Sequence, residues 1–199
     1  GNMILNGHHP FNDIWIVSGP FVDYFQALLF FLFGTSWKIY VFHASLINFI
    51  ITFSTFIVFR TLNLDFKESL FFSLCFSILA YPISGTPFVD HHSAFFSLIG
   101  VYFILICIKK ESKNLSFFIP IFFVLGFMSK QVPSTYLIFS ITPIFLFYIF
   151  YNNKLFLLPN FIYGITFSVL ILFIFGAITG INFNNFIEQY ILYPQSIAS

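Results

Sequence analysis

The run Thr86-Pro87-Phe88-Val89-Asp90-His91-His92-Ser93 sets a carboxylate and two imidazoles side by side between two long apolar stretches. Ionisable groups are expensive at membrane depth, so those kept at the edge of apolar segments are functional candidates. Asp90 and His92, two positions apart, can offer an oxygen and a nitrogen to one divalent cation. Such a donor set suits Mn²⁺ or Mg²⁺ better than a thiolate-seeking metal. His91 sits between them as a candidate substrate contact. A helix N-terminus at this point also favours an anion such as phosphate. The plainer alternative is that Asp90 N-caps a helix beginning near Ser93, leaving both histidines as interfacial side chains.

Three other places carry candidate groups. In His8-His9-Pro10-Phe11-Asn12-Asp13-Ile14-Trp15, followed by Ser18-Gly19-Pro20, Asp13 lies among turn-formers and aromatics. Phe11 and Trp15 suit the headgroup level of a bilayer; the competing reading is a solvated surface loop. Lys130 and Gln131 stand in Gly126-Phe127-Met128-Ser129-Lys130-Gln131-Val132-Pro133, a break between apolar runs. A compact ammonium there can hold an anion such as a lipid phosphate, or it can snorkel to a headgroup. Glu188, in Asn184-Asn185-Phe186-Ile187-Glu188-Gln189-Tyr190, is a further substrate-contact candidate, although a lone Glu in such a segment ordinarily faces solvent. His43, alone in an apolar run, reads as a packing histidine. The chain contains no glycine-rich phosphate loop, no Ser-His-Asp order and no HExxH zinc motif.

The elements that must position these groups are membrane helices. Hydrophobic residues make up 59% of the 199 and charged ones 8%, against roughly 25% charged in soluble domains; the mean hydropathy is +0.94. A net charge of +1 gives no basic face for nucleic acid. Cys75 and Cys107 both fall in apolar runs and read as packing. A spanning helix needs about 20 mostly apolar residues. Six segments approach that: 37–59, 70–84, 93–108, 115–128, 133–151 and 155–179. The shorter run 20–33 fits an interfacial helix. The expected fold is all-α, a polytopic transmembrane helix bundle in a single domain over 1–199, with a first loop 1–36, membrane helices 37–179 and a further loop 180–199. The abrupt ends suggest a piece cut from a longer chain.

Alternating the loops puts Arg60, Lys67, Lys109, Lys110, Lys113 and Lys154 on one side, and only Lys38 and Lys130 of the eight basic residues on the other. The positive-inside bias assigns the first set to the cytoplasm. The outer face then collects Asp13, Asp23, Asp90, Glu188, His8, His9, His91 and His92. The expectation is a multi-pass protein of the plasma (inner) membrane with its candidate site outward.

Several of these stretches resemble a known family. The first 34 residues, through Ile4-Leu5-Asn6-Gly7, Pro10-Phe11-Asn12-Asp13, Gly19-Pro20 and the run from Ala27 to Gly34, resemble the first outer loop of the C-type polytopic membrane glycosyltransferases. Phe127-Met128-Ser129-Lys130-Gln131 resembles an element of their protein-mannosyltransferase-like (family 39-like) branch. Asp90-His91-His92 is similar to the second acidic motif of the oligosaccharyltransferase branch, which implies metal-binding roles for Asp90 and His92. The resemblance implies transfer of a sugar from a polyprenyl-phosphate donor to a glycan, lipid or protein acceptor. Asp13 and Asp90 would be catalytic, and Lys130, Gln131, His91 and Glu188 substrate-binding. The family's principal acid is expected upstream of Gly1, and the resemblance does not select a branch. Two other classes compete: a transporter or flippase of a lipid-linked or polar solute, and a non-catalytic membrane subunit on the same scaffold.

Overall fold

The computed structural model describes residues 1–198. Apolar segments in hydrocarbon must satisfy their backbone polar groups within themselves, and a helix does this without partners. The described residues follow that rule and contain no strand. In chain order the helices are α1 (Asn2–Leu5), α2 (Phe21–Phe33), α3 (Trp37–Thr61), α4 (Phe66–Ala80), α5 (Val89–Lys110), α6 (Lys113–Ser116), α7 (Phe118–Ser129) and α8 (Gln131–Tyr151). A 3₁₀ turn (Leu155–Leu157) leads into α9 (Leu158–Thr179). Then come α10 (Phe183–Phe186), a π-helical turn (Ile187–Leu192) and α11 (Tyr193–Ala198). The all-α helical bundle expected from sequence is the observed architecture.

Local chemistry sets the boundaries. Ser36 caps α3 by accepting from the Ile39 N–H at 3.4 Å. Asp65 and Glu68 form a reciprocal capping box that starts α4, satisfying two otherwise orphaned N–H groups. That box places the start of α4 four residues before the expected 70, and the helix ends at Ala80, ahead of Pro82. Helix α5 also begins early, with Phe88 at its N-cap. Asp90 therefore lies in the first turn, and the alternative that it caps a helix starting at Ser93 does not hold. The break between α7 and α8 falls at Lys130, whose backbone is extended (φ −160°, ψ 146°).

Among the described residues, the expected six spans resolve into four helices long and apolar enough to cross a membrane: 37–61, 89–110, 131–151 and 155–179. The other two are shorter. The 15 residues of α4 rise about 22 Å at 1.5 Å per residue. Lys113–Ser129 is an apolar helical stretch in the 10–17-residue class, and neither spans a hydrocarbon core of about 30 Å unaided. The short helix over 20–33 is present as α2.

Helix α5 is the axis of the bundle, packing on α3, α7 and α8, while α4 leans on α3 and α9 on α7. Its interior is apolar in layers, with Ile47, Ile51, Phe95, Phe96 and Ile99 in one and Ile104, Cys107, Phe123, Phe145 and Phe161 in another. The outward faces are apolar too, with Phe139, Phe173 and Ile178 each at least 73% exposed, as a lipid-facing surface requires. The loop 1–20, α2, the start of α5, the α7–α8 break and residues 180–198 gather at one end, here called the loop end. The residues Arg60, Lys67, Lys109, Lys110, Lys113 and Lys154 gather at the other.

Gly126 makes the closest packing possible. A Cβ there would lie 2.5 Å from Ser97 Oγ and 2.7 Å from Ser134 Oγ, so α7 can approach α5 and α8 only without a side chain. Gly126→Val is expected to lower stability by about 1–3 kcal/mol, the usual cost of overpacking. Thermal unfolding in detergent measures it; an unchanged midpoint would contradict the assigned contact.

Candidate functional site

At the loop end, the extended Lys130 turns its side chain onto α5. Its Nζ donates to Asp90 Oδ1 at 2.5 Å. The backbone around the pair is locked by hydroxyls: Ser93 Oγ donates to the Lys130 carbonyl at 2.9 Å. Ser93 Oγ and Ser97 Oγ lie 2.7 and 2.6 Å from Ser134 Oγ, and all three serines are fully buried. Asp90 and Lys130 themselves remain 41% and 36% exposed. An ion pair that open to solvent contributes only about 0–1 kcal/mol, too little to account for the rigid support beneath it. The support holds two opposite charges at an accessible surface, where they can meet a ligand.

The first loop is pinned against this break. The Gly19 N–H donates to the Ser129 carbonyl at 3.0 Å, and a Cβ on Gly19 would fall 1.8 Å from the Met128 carbonyl oxygen, so only glycine fits. Gln131 Nε2 donates to the Val17 carbonyl at 3.2 Å and, closely, to the Tyr190 carbonyl. Residues 180–193 close the ring. Asn12 Nδ2 donates to Gly180 O at 2.7 Å and Asn12 Oδ1 accepts from Asn182 N–H at 2.9 Å. Asn185 Nδ2 and Gln189 Nε2 both donate to Phe11 O, at 2.8 and 3.3 Å. Tyr190 is fully buried between Phe11 and Phe127 and donates to the Phe127 carbonyl. Burial pushes its phenol pKa well above the ordinary value, so it acts as a neutral donor.

The sequence-derived candidates divide accordingly. Asp90, Lys130 and Gln131 come together. Gln131 spends its amide N–H groups on Val17 and Tyr190, which makes it a clasp for the loops. Asp13 is exposed and accepts from the His9 N–H at 2.8 Å within its own loop, not from Lys130. Glu188 is exposed while its neighbours Gln189 and Tyr190 are buried, so it faces away from the packed side of its turn. His91 lies between the Phe88 and Phe95 rings, 5.7 Å from each, with a buried and unpartnered Nδ1.

Asp90 and His92, expected to share a divalent metal, are each engaged by other partners. His92 Nδ1 donates to Phe88 O at 2.9 Å, and its Nε2 faces His43 Nε2 at 2.9 Å. The Asp90 oxygen is taken by Lys130. Among the described residues no three His, Cys, Asp or Glu side chains converge as metal ligands. With those partners taken, the groups present do not fit Mn²⁺ or Mg²⁺.

Sequence reasoning passed over Gln26 and understated His43. Gln26 Oε1 lies 2.8 Å from His43 Nδ1, and both side chains are buried. A polar amide inside an otherwise apolar amphipathic run was the available signal. Beside α2, a cleft of about 340 Å³ opens between α2, α7 and α9, walled by Phe21, Phe25, Leu28, Val124, Leu172 and Phe175 and reaching Met128. On its wall Tyr24 has its pKa raised chiefly by burial, and its hydroxyl meets His9 Nδ1 at 2.9 Å.

Fold and site together define a bundle of apolar, membrane-crossing-length helices with a supported charge pair at one end. The chain matches no family model, no curated protein and no solved structure.

If Gln131 is the clasp, Gln131→Ala should speed amide exchange at Gly19 and in residues 187–192 by roughly tenfold, the loss of about 1.4 kcal/mol of local stability. Exchange monitored by mass spectrometry reads this directly. Unaltered protection would show that the loops are held by other contacts.

Proposed function

We propose that this protein is an integral-membrane glycosyltransferase that moves a sugar from a polyprenyl-phosphate donor to an acceptor hydroxyl at the outer membrane face. The observation that carries the reading is the partly exposed Asp90–Lys130 pair at the loop end. A separate apolar cleft between α2, α7 and α9 reaches Met128 near the same end of the bundle, which offers room for an isoprenoid chain. The aromatic and aliphatic walls suit such a chain, and the charge pair suits its headgroup. The basic residues at the opposite end support an outward-facing site through the positive-inside bias, and the sequence resemblance supports the reaction class.

The chemistry follows from what the pair can supply. Lys130, drawn from Asp90 by the incoming phosphate, stabilises the charge that grows on the departing phosphate oxygen. The freed Asp90 carboxylate accepts the proton of the acceptor hydroxyl as general base. The bond from the anomeric carbon to the phosphate oxygen breaks, and the bond from that carbon to the acceptor oxygen forms. Polyprenyl phosphate leaves and the proton rests on Asp90. Asp13, tied to its own loop, has no step in this scheme.

A transporter or flippase is the second reading, and one feature favours it. A groove of about 630 Å³ between α3 and α4 is lined by Ser45, Asn48, Thr52, Ser73 and Ser77 along one seam and by Phe49 and Phe53 on its wall. A polar seam through apolar helices is a route for a polar headgroup across the bilayer.

The deciding experiment supplies radiolabelled polyprenyl-phosphate hexose to membranes containing the wild-type protein, Asp90→Asn or Lys130→Gln. Wild type should transfer label to an acceptor, and Asp90→Asn should lose about 100-fold or more, the usual worth of a general base. Lys130→Gln should fall comparably. Retained activity in Asp90→Asn removes Asp90 from the mechanism. Movement of label between leaflets with no covalent transfer would establish the transporter instead.

A further inference from the structure

The buried pair of histidines between α3 and α5 poses a problem of hydrogen count. His92 Nδ1 faces the Phe88 carbonyl oxygen at 2.9 Å, and a carbonyl can only accept, so this nitrogen carries a hydrogen. His43 Nδ1 faces Gln26 Oε1 at 2.8 Å, so it carries one as well. The two Nε2 atoms lie 2.9 Å apart, and two bare lone pairs at that distance repel, so a third hydrogen lies between them. Two neutral imidazoles carry one N–H each; three hydrogens on the two rings make a singly charged pair. His43 and His92 are 0% and 2% exposed, where an isolated cation is costly.

A neutral arrangement exists, and it requires one change. With the Gln26 amide turned over, its N–H donates to His43 Nδ1, His43 Nε2–H donates to His92 Nε2, and His92 Nδ1–H still donates to Phe88. Gln26 Nε2 has no partner in the orientation observed, and an under-bonded carbonyl oxygen in its place is better tolerated. The orientation of such an amide is dictated by its hydrogen-bond network, so here it follows the proton count.

We propose that Gln26, His43 and His92 form a proton-binding site in which uptake of one proton by the imidazole pair is accompanied by a half-turn of the Gln26 amide. The site ties α2, α3 and α5 together, and its outer link bonds the N-cap residue of α5, the turn that carries Asp90. It does not depend on the glycosyl-transfer reading. Toward the loop end, the titratable groups on the surrounding elements are Asp23 and Tyr24 on α2, Lys38 and Tyr40 on α3, Tyr81 after α4, and Asp90, His91 and Tyr102 on α5, with Lys130 joined to Asp90; Arg60, Lys67, Glu68, Cys75, Cys107, Lys109 and Lys110 lie further along the same helices. Asp23 faces the Gly1 amine at 3.6 Å, Tyr24 bonds His9, Tyr81 bonds Ser45 and Tyr102 bonds Thr55. Among the described residues none of them bonds either ring of the pair. A divalent metal between the Nε2 atoms is the weaker alternative, because no third ligand and no counter-charge join them.

The test uses the full chain, labelled with ¹⁵N at its histidines and glutamines, in lipid nanodiscs from about pH 3 to about pH 8, a window that reaches well below the ordinary histidine value because burial disfavours the charged pair. At the acid end, His43 Nδ1 and His92 Nδ1 should both be protonated, with a nitrogen–nitrogen coupling across the shared hydrogen. At the alkaline end His43 Nδ1 should become bare, His92 Nδ1 should stay protonated and the Gln26 amide resonance should move in step. Gln26→Glu offers only acceptors and should hold the acid pattern throughout. Absence of the coupling overturns the proposal, as does a His43 Nδ1 state that never changes in the wild type. A pattern that answers to added Zn²⁺ and not to pH overturns it in favour of a metal site.

Discussion

Hydrocarbon offers no water to a polar atom, so a polar group that faces the interior of this bundle is costly unless it pairs among the helices, and Gln26 Nε2 and His91 Nδ1 are among the few left unpaired. The hydroxyl cluster of Ser93, Ser97 and Ser134 meets that constraint at the junction of α5, α7 and α8. Gly126 leaves the room for it. Because Ser93 also bonds the Lys130 carbonyl, the same cluster fixes the one break in the apolar walls. Elsewhere Asn48 donates to Ser77 and Thr55 meets Tyr102, each pairing helices that lipid alone would not hold together.

The loops are organised by the same logic with aromatics added. Asn12, Asn185 and Gln189 satisfy backbone groups of the first and last loops reciprocally, and Phe11, Phe186 and Tyr190 pack edge to face beneath them. The result is a rigid collar. Asp90 and Lys130 stand within it as a partly exposed pair on a fully buried foundation. Exposed ion pairs add little stability, so the foundation serves the position of the charges. That asymmetry between support and supported is what makes the pair a site.

The bundle also holds an apolar cleft, a more polar groove and one buried imidazole pair, and they differ in chemistry. The cleft beside α2 is walled almost wholly by apolar side chains, whereas the α3–α4 groove carries hydroxyls and an amide. The histidine pair is sealed from both solvent and lipid, so its state is governed by Gln26 and by the proton count of the two rings.

The helical class, the apolar spans and the gathering of acidic and imidazole groups at one end were legible in composition and periodicity, because a chain this apolar has few ways to satisfy its backbone. The approach of Lys130 to Asp90 could be suspected from the charge bias but not assigned, since forty residues separate them. Two helix starts differ from the expectation: the Asp65–Glu68 box moves α4, while α5 begins after Phe88 with no side-chain cap. Asp90 and His92, read from sequence as a pair that could share a metal, take separate partners for a three-dimensional reason. Residues two apart in the first turn of a helix point to different faces, so Asp90 turns to Lys130 and His92 to His43. Which long-range partner each polar group takes depends on how the helices pack, and local sequence does not encode that.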